Sequence, residues 1–210
     1  MLALLQQHAA THADQLAHVL PDRDITYRRL WSRIERGSAR LQGEWGVRAG
    51  DTVAYVGNGH PDAIVLYFSL LRIGASLLPL EGVAPSAGKV LMADRKVALA
   101  VHDDGVDVQG VYGMRGRRLE DLLAVWCHYD PALATDDPAR NALWLAGDDA
   151  QWHAASLAAL GANLPARPRT TFIGDSIFTT ETLRQVVLPS LVTAQRMEFA
   201  YGGTVLRTGS

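Results

Sequence analysis

The run AIVLYFSLLRIGASLLPL, from Ala63 to Leu80, constrains the fold of this chain more than any other stretch. It is apolar almost all round a helical projection as far as Gly74, so a helix over it must be buried on most sides. Arg72, Gly74 and Pro79 interrupt it, whereas a membrane span takes about 20 predominantly apolar residues. The pattern predicts a buried helix with Pro61 in its first turn and Gly74 as its stop, followed by a strand in ASLLPL. A turn at Gly50-Asp51 and a strand over Thr52 to Val56 precede it. Two strands joined by a buried helix make a parallel pair with a crossover connection.

The rest of the chain extends that scheme. LLQQHAATHADQLAHVL predicts a first helix ending near Pro21. DRDITYRRLWSRIERGSARLQGEWGV predicts a short strand and then an amphipathic helix closed by Gly43 to Gly46. Leu30, Ile34 and Leu41 share one face of that helix, and Arg28, Arg29, Arg33 and Arg36 lie mostly off it. SAGKVLMADRKVALAVHDD predicts a helix and a strand over Val97 to Val101. A small hairpin-like excursion is expected next, before a helix from Leu119 to Trp126. DPALATDDPARN has the composition of a loop. ALWLAGDDAQWHAASLAALGANLP predicts a strand, a loop and a helix, and RTTFIGDSIFTTETLRQVVLPSLVTAQRMEFA a strand, a loop, a helix and a strand. The class is α/β, with parallel-sheet layers flanked by helices.

Composition removes several functions. The formal net charge of the 210 residues is -2, with no basic stripe, so neither nucleic acid nor an anionic membrane surface is an expected partner. Cys127 is the single cysteine, which rules out an internal disulfide and fits a reducing compartment. The start has no basic segment ahead of an apolar run, and a cytoplasmic protein is expected. His102 with Asp103 and Asp104, and His128 beside Cys127, lack paired-ligand spacing, and no metal is expected there. Trp31, Trp45, Trp126, Trp144 and Trp152 are expected in the core or at an interface. Arg115, Arg117 and Arg118 are expected on a solvated face, where they would suit an acidic partner such as a carrier protein.

Two motifs invite an enzymatic reading. Gly57-x-Gly59 lies between a strand and a helix, as in a dinucleotide fingerprint, but Asp62 occupies the place of the third glycine. A carboxylate there would repel a pyrophosphate; it suits a helix N-terminus instead. Gly174-Asp175-Ser176 has the look of an esterase nucleophile block. A nucleophilic serine needs a histidine base and oxyanion donors, and no histidine follows Ser176, the last being His153.

A longer pattern is more specific. ITYRRLWSRIERGSARLQGEWGVRAGDTVAYVGNGHPDAIVLYFSLLRIGASLLPL resembles the N-terminal region of the adenylate-forming superfamily, which contains acyl-CoA synthetases, aryl-CoA ligases and the adenylation domains of nonribosomal peptide synthetases. Thr26-Tyr27, Leu30, Gly46-Val47, Gly50-Asp51, TVAYV, Asn58, the buried helix and Gly74 leading to Leu78-Pro79-Leu80 carry the resemblance in order. It implies the first subdomain of the family's large N-terminal domain. It also implies an ATP-binding loop rich in Ser, Thr and Gly and followed by Lys, whose backbone N–H groups and ammonium meet phosphate. The corresponding stretch here is Gly147, Asp148, Asp149, Ala150 and Gln151, with two carboxylates, no hydroxyl and no Lys. TTFIGDSIFTTETLRQVVLPSLVTAQRMEFA resembles the family's next segment, which implies that Gly174, Asp175 and Ser176 lie on a loop beside the acyl pocket.

The expectation is one α/β domain over 1-210, ligase-like over 1-105 and a degenerate continuation over 106-210. The later elements that the resemblance implies, including the adenine-binding Tyr-Gly-x-Thr-Glu loop and the mobile C-terminal domain with its catalytic Lys, are not expected in it. The leading functional expectation is a truncated, non-catalytic acyl-CoA-synthetase-like protein without catalytic residues or cofactor. It would be an accessory or binding subunit in an acyl- or aryl-activating pathway, as a homo-oligomer or beside a ligase, carrier protein or synthase. The alternatives are one half of a split AMP-forming ligase and, behind it, a serine esterase using Ser176.

Overall fold

The computed structural model describes residues 1–124, 128–135, 137–146, 151–168, 170, 172–173 and 176–199. The chain opens with α1 (Leu2–Thr11), β1 (Leu16–Val19), β2 (Asp24–Thr26), α2 (Tyr27–Gly43), β3 (Thr52–Val56), α3 (Asp62–Ile73) and β4 (Ser76–Pro79). It continues with α4 (Pro85–Asp94), β5 (Leu99–His102), α5 (Val108–Tyr112), β6 (Gly116–Arg118), α6 (Asp121–Ala124), β7 (Asn141–Ala146), β8 (Trp152–Ser156) and α7 (Leu157–Gly161). After β9 (Phe172–Ile173) a helical run passes through α8 (Thr180–Thr182), a π-helical turn (Leu183–Val187) and α9 (Leu188–Val192), and β10 (Met197–Phe199) follows.

Six strands form one sheet in the order β6-β5-β3-β4-β7-β8, parallel throughout except for the antiparallel pair β7 and β8. Strand alternation divides its two faces. Val53, Tyr55, Leu77, Leu99 and Val101 point into the larger core with α2 and α3. Ala54, Val56, Leu78 and Ala100 point the other way, onto Met92 of α4 and Val108 of α5. A four-stranded sheet, β2-β1-β10-β9, contributes Ala17, Ile25, Met197 and Phe199 to the larger core. That cluster therefore gathers residues of both sheets with α3 among them, which is why α3 is apolar all round.

Local chemistry sets the ends of the helices. Thr26 accepts the Arg29 N–H at the start of α2, an N-cap. Gly74 ends α3 in the left-handed region at φ +83, which L side chains avoid. The expected positions of α2, β3, α3, β4 and the last helix and strand all agree with the structure.

Four expectations need correction. The first helix stops at Thr11, and the following LAHV is β1; parallel pairing with β10, far away in the chain, draws those residues into a sheet. The excursion after β5 is no hairpin: α5 leads to β6, which pairs parallel to β5. WHAAS, expected in a loop and helix, is β8, held antiparallel to β7, and the helix after it is shorter. Arg33 is also nearer the interior than expected, because it pairs with Asp62.

Candidate functional site

A cavity of about 700 Å³ opens at the C-terminal ends of β4 and β7, the edge at which open parallel sheets bind ligands. Pro79, at the end of β4, and Ala146 and Trp152, facing across the β7–β8 pair, form one wall. Phe178, Thr179, Glu181 and Arg184, from the approach to the helical run and its first turns, form the other. Val83, Trp152 and Phe178 supply apolar lining among polar side chains.

Glu81, two residues beyond β4, is the chemically distinctive residue of this wall. Its Oε2 accepts a short hydrogen bond from the Ser176 hydroxyl and a longer one, at 3.4 Å, from the Phe178 N–H. Its Oε1 is buried with no hydrogen-bond partner. Burial pushes the carboxyl up to about 7. The N–H groups of Phe178 and Ile177 pull the other way, and the negative charge of Asp103 adds to the rise. Glu81 did not stand out in the sequence. The available signal was a lone carboxylate just past the C-terminal end of an apolar strand, where a parallel sheet exposes its ligand-facing groups.

Asp103 anchors the neighbouring turn. Its carboxylate accepts the Tyr55 hydroxyl at 2.9 Å and the Asn58 N–H at 2.9 Å. The Tyr55 oxygen in turn accepts the His60 N–H at 3.0 Å. Burial first, and then the Asp103 charge, hold the Tyr55 phenol in its neutral form. A Cβ on Gly57 would lie 2.4 Å from Asp103 Oδ2 and 2.5 Å from the Tyr55 hydroxyl. The glycine-bearing turn after β3 is thus filled by the chain's own carboxylate, which takes the N–H that a dinucleotide phosphate would need. Asp62 begins α3 and is buried in ion pairs with Arg33 and, at 3.4 Å, Arg23.

Several residues singled out in the sequence can now be placed. Ser176 is half-buried and bonded to a carboxylate; no histidine lines the cavity among the described residues. Gln151 is exposed just before β8. Gly147, Asp148, Asp149 and Ala150, with Gly174 and Asp175, lie outside the described residues, as do Trp126 and Cys127. Ala146 and Trp152, which flank the acidic connection in the chain, both line the cavity. His102 Nδ1 meets the Asp103 carbonyl at 2.9 Å, and the described residues contain no cluster of metal-ligating side chains. Trp31 and Trp144 carry guanidinium groups over their rings, Arg72 at 5.6 Å and Arg95 at 4.3 Å. Arg118 pairs with Asp104, Glu120 and Asp121. No helix among the described residues is long and apolar enough to cross a membrane.

The mostly parallel sheet with helices on both faces and a cavity at its C-terminal edge defines an α/β protein. The AMP-binding enzyme family matches residues 5–162, and the chain belongs to it. Among its relatives is the D-alanine--D-alanyl carrier protein ligase of Bacillus licheniformis, 26% identical over 151 residues that cover 71% of this chain and 28% of the ligase. Phosphinothricin tripeptide synthetase of Streptomyces viridochromogenes is 39% identical over 83 residues, 40% of this chain and 8% of the synthetase. In fold the chain is similar to O-succinylbenzoate coenzyme A synthetase of Bacillus subtilis, with a TM-score of 0.79 and 14% identity, over 93% of this chain and 43% of that one. It is also similar to the N-terminal subdomain of NpsA from Klebsiella oxytoca, with a TM-score of 0.77 and 20% identity, over 95% of this chain and 53% of that subdomain. The chain thus spans between 8% and 53% of the length of these four proteins.

Proposed function

We propose that this chain is a non-catalytic member of the AMP-binding enzyme family, an accessory or binding subunit in an acyl- or aryl-activating pathway. One observation carries the proposal. Ala146 and Trp152 line the cavity, and the sequence that joins them, Gly147 to Gln151, has two carboxylates, no Lys and no hydroxyl. Its described wall adds Glu81 and Glu181 against one guanidinium, Arg184, whose Nη2 donates to the Ala162 carbonyl at 2.7 Å. A triphosphate entering there meets repulsion where a phosphate site needs backbone donors and a cation. The described residues keep the mostly parallel sheet, and the cavity has room for a small organic molecule.

The test is ATP–pyrophosphate exchange by the chain alone across panels of fatty, aryl and amino acids. No exchange above the protein-free rate is expected with any acid, and exchange with any one of them overturns the proposal. Capture from the native cell extract, followed by mixing with the captured protein, addresses the accessory role. A stoichiometric ligase, carrier protein or synthase is the expected companion. ATP-dependent pyrophosphate release that appears only on mixing would instead make the chain one half of a split ligase.

A further inference from the structure

We propose that Glu81 sets the ligand class of the cavity, excluding organic anions and admitting a small amphiphilic amine whose ammonium group pairs with the Glu81 carboxylate. The inference rests on reading the cavity as a ligand site that takes no triphosphate, and it adds what that ligand is.

Donors decide the first half. Across the cavity the Arg184 guanidinium donates to the Ala162 carbonyl; at this wall the Ser176 hydroxyl and the Phe178 N–H are the donors that would meet a ligand carboxylate or phosphate. Both are already committed to Glu81 Oε2. An incoming anion would have to displace Glu81 from them and then lie beside its charge, with Asp103 behind it. Acceptors decide the second half. Oε1 of Glu81 is buried and unpartnered, so the carboxylate has unspent capacity for a donor. An ammonium group supplies N–H donors together with the compensating charge. Trp152, Phe178, Val83 and Pro79 offer apolar surface for the rest of such a molecule.

The same geometry makes binding depend on pH. Amine binding needs Glu81 ionised, and burial holds its carboxyl up at about 7. The charged and titratable groups that face it are Asp103 at the end of β5, Tyr55 on β3, and Glu181 and Arg184 across the cavity. For one linked proton, affinity for a permanently protonated amine falls about tenfold between pH 8 and pH 6.

The experiment is calorimetric titration of the whole chain with three probes of one shape: phenethylamine, phenethyl alcohol and phenylacetate. Phenethylamine is expected to bind tightest at pH 8, to weaken about tenfold at pH 6, and to weaken by roughly thirtyfold or more in Glu81→Gln. Phenylacetate is expected not to bind the wild-type chain and to gain measurable affinity in Glu81→Gln, where the charge is gone. Ser176→Ala provides a second variant that keeps the charge and is expected to retain amine preference. Phenylacetate binding the wild type as tightly as the amine, an amine affinity flat between pH 6 and 8, or no amine binding at millimolar concentration would each overturn the proposal. ATP titration of the same samples separates the two levels, because nucleotide binding would defeat the reading of the cavity whatever the amines do.

Discussion

His18 stands in β1 with no accessible surface, and neither ring nitrogen has a hydrogen-bond partner. Burial pushes the imidazole down to about 4; nearby Asp62 opposes this and Arg33 adds to it. In the unfolded chain the ring titrates near its ordinary 6.5. Between those values the unfolded state binds the extra proton, so folding stability is full above pH 6.5 and is lost as pH falls toward 4. The loss amounts to roughly 3 kcal/mol from this group. Urea unfolding at a series of pH values should show it as a difference in slope between the wild type and His18→Leu across that window. A slope unchanged by the substitution would place the proton uptake elsewhere. Glu81 works in the opposite sense. Its raised carboxyl is stabilising while protonated in both states, and that contribution is lost as pH rises from 4.5 toward 7. At Gly57 the neighbouring carboxylate and phenol are fixed by hydrogen bonds to each other. Gly57→Ala should therefore cost about 1–3 kcal/mol in the same assay, and an unaltered midpoint would contradict the tight turn.

Among the elements, α2 and α3 pack tightly against each other at Gly37. A Cβ there would lie 2.4 Å from the Ser69 hydroxyl, which donates to the Ile34 carbonyl at 3.1 Å. Ser38 donates to the same carbonyl at 2.8 Å. Gly37→Ala should force the helices apart at a cost of about 1–3 kcal/mol, and Phe68→Ala in α3 should cost about 3–5 kcal/mol by opening a cavity. Thermal unfolding by circular dichroism measures both. These two helices and the strands around them were legible in the sequence because their signals are local: a 3.6-residue apolar stripe, an N-capping threonine, a stop glycine. β1, β6 and β8 were not, since each becomes a strand by pairing outside its own window, with β10, β5 and β7 in turn. LAHV is buried at Ala17 and His18 and pairs through one edge with residues 197–198, and nothing within its own window encodes that pairing. The site divides along the same line. Ser176 drew notice through a motif, whereas Glu81, its partner across the sheet edge, became visible only once the fold joined residues 95 positions apart.

At the scale of the whole molecule, the beginning of the chain clasps its later part. The Tyr27 hydroxyl donates to the Gln195 carbonyl at 2.8 Å, Gln15 to the Ala194 carbonyl at 2.7 Å, and His8 meets the Val192 carbonyl at 3.0 Å. The family match ends at residue 162, yet Ile173, Leu183, Leu188, Met197 and Phe199 belong to the larger core. A variant ending after residue 168 should therefore lose cooperative unfolding and become sensitive to protease; a sharp transition in that variant would show that the large sheet stands without them. The pairing of β1 with β10 also has a consequence on the ribosome. β1 and β2 leave the exit tunnel early and can pair at once as a hairpin. The other edge of β1, which carries the contacts His18 to Met197 and Val19 to Glu198, stays bare until nearly all of these residues have been translated. For those seconds of synthesis a half-built sheet presents an unpaired strand to its surroundings. This nascent chain should need a holding chaperone more than one whose neighbours in space are neighbours in sequence.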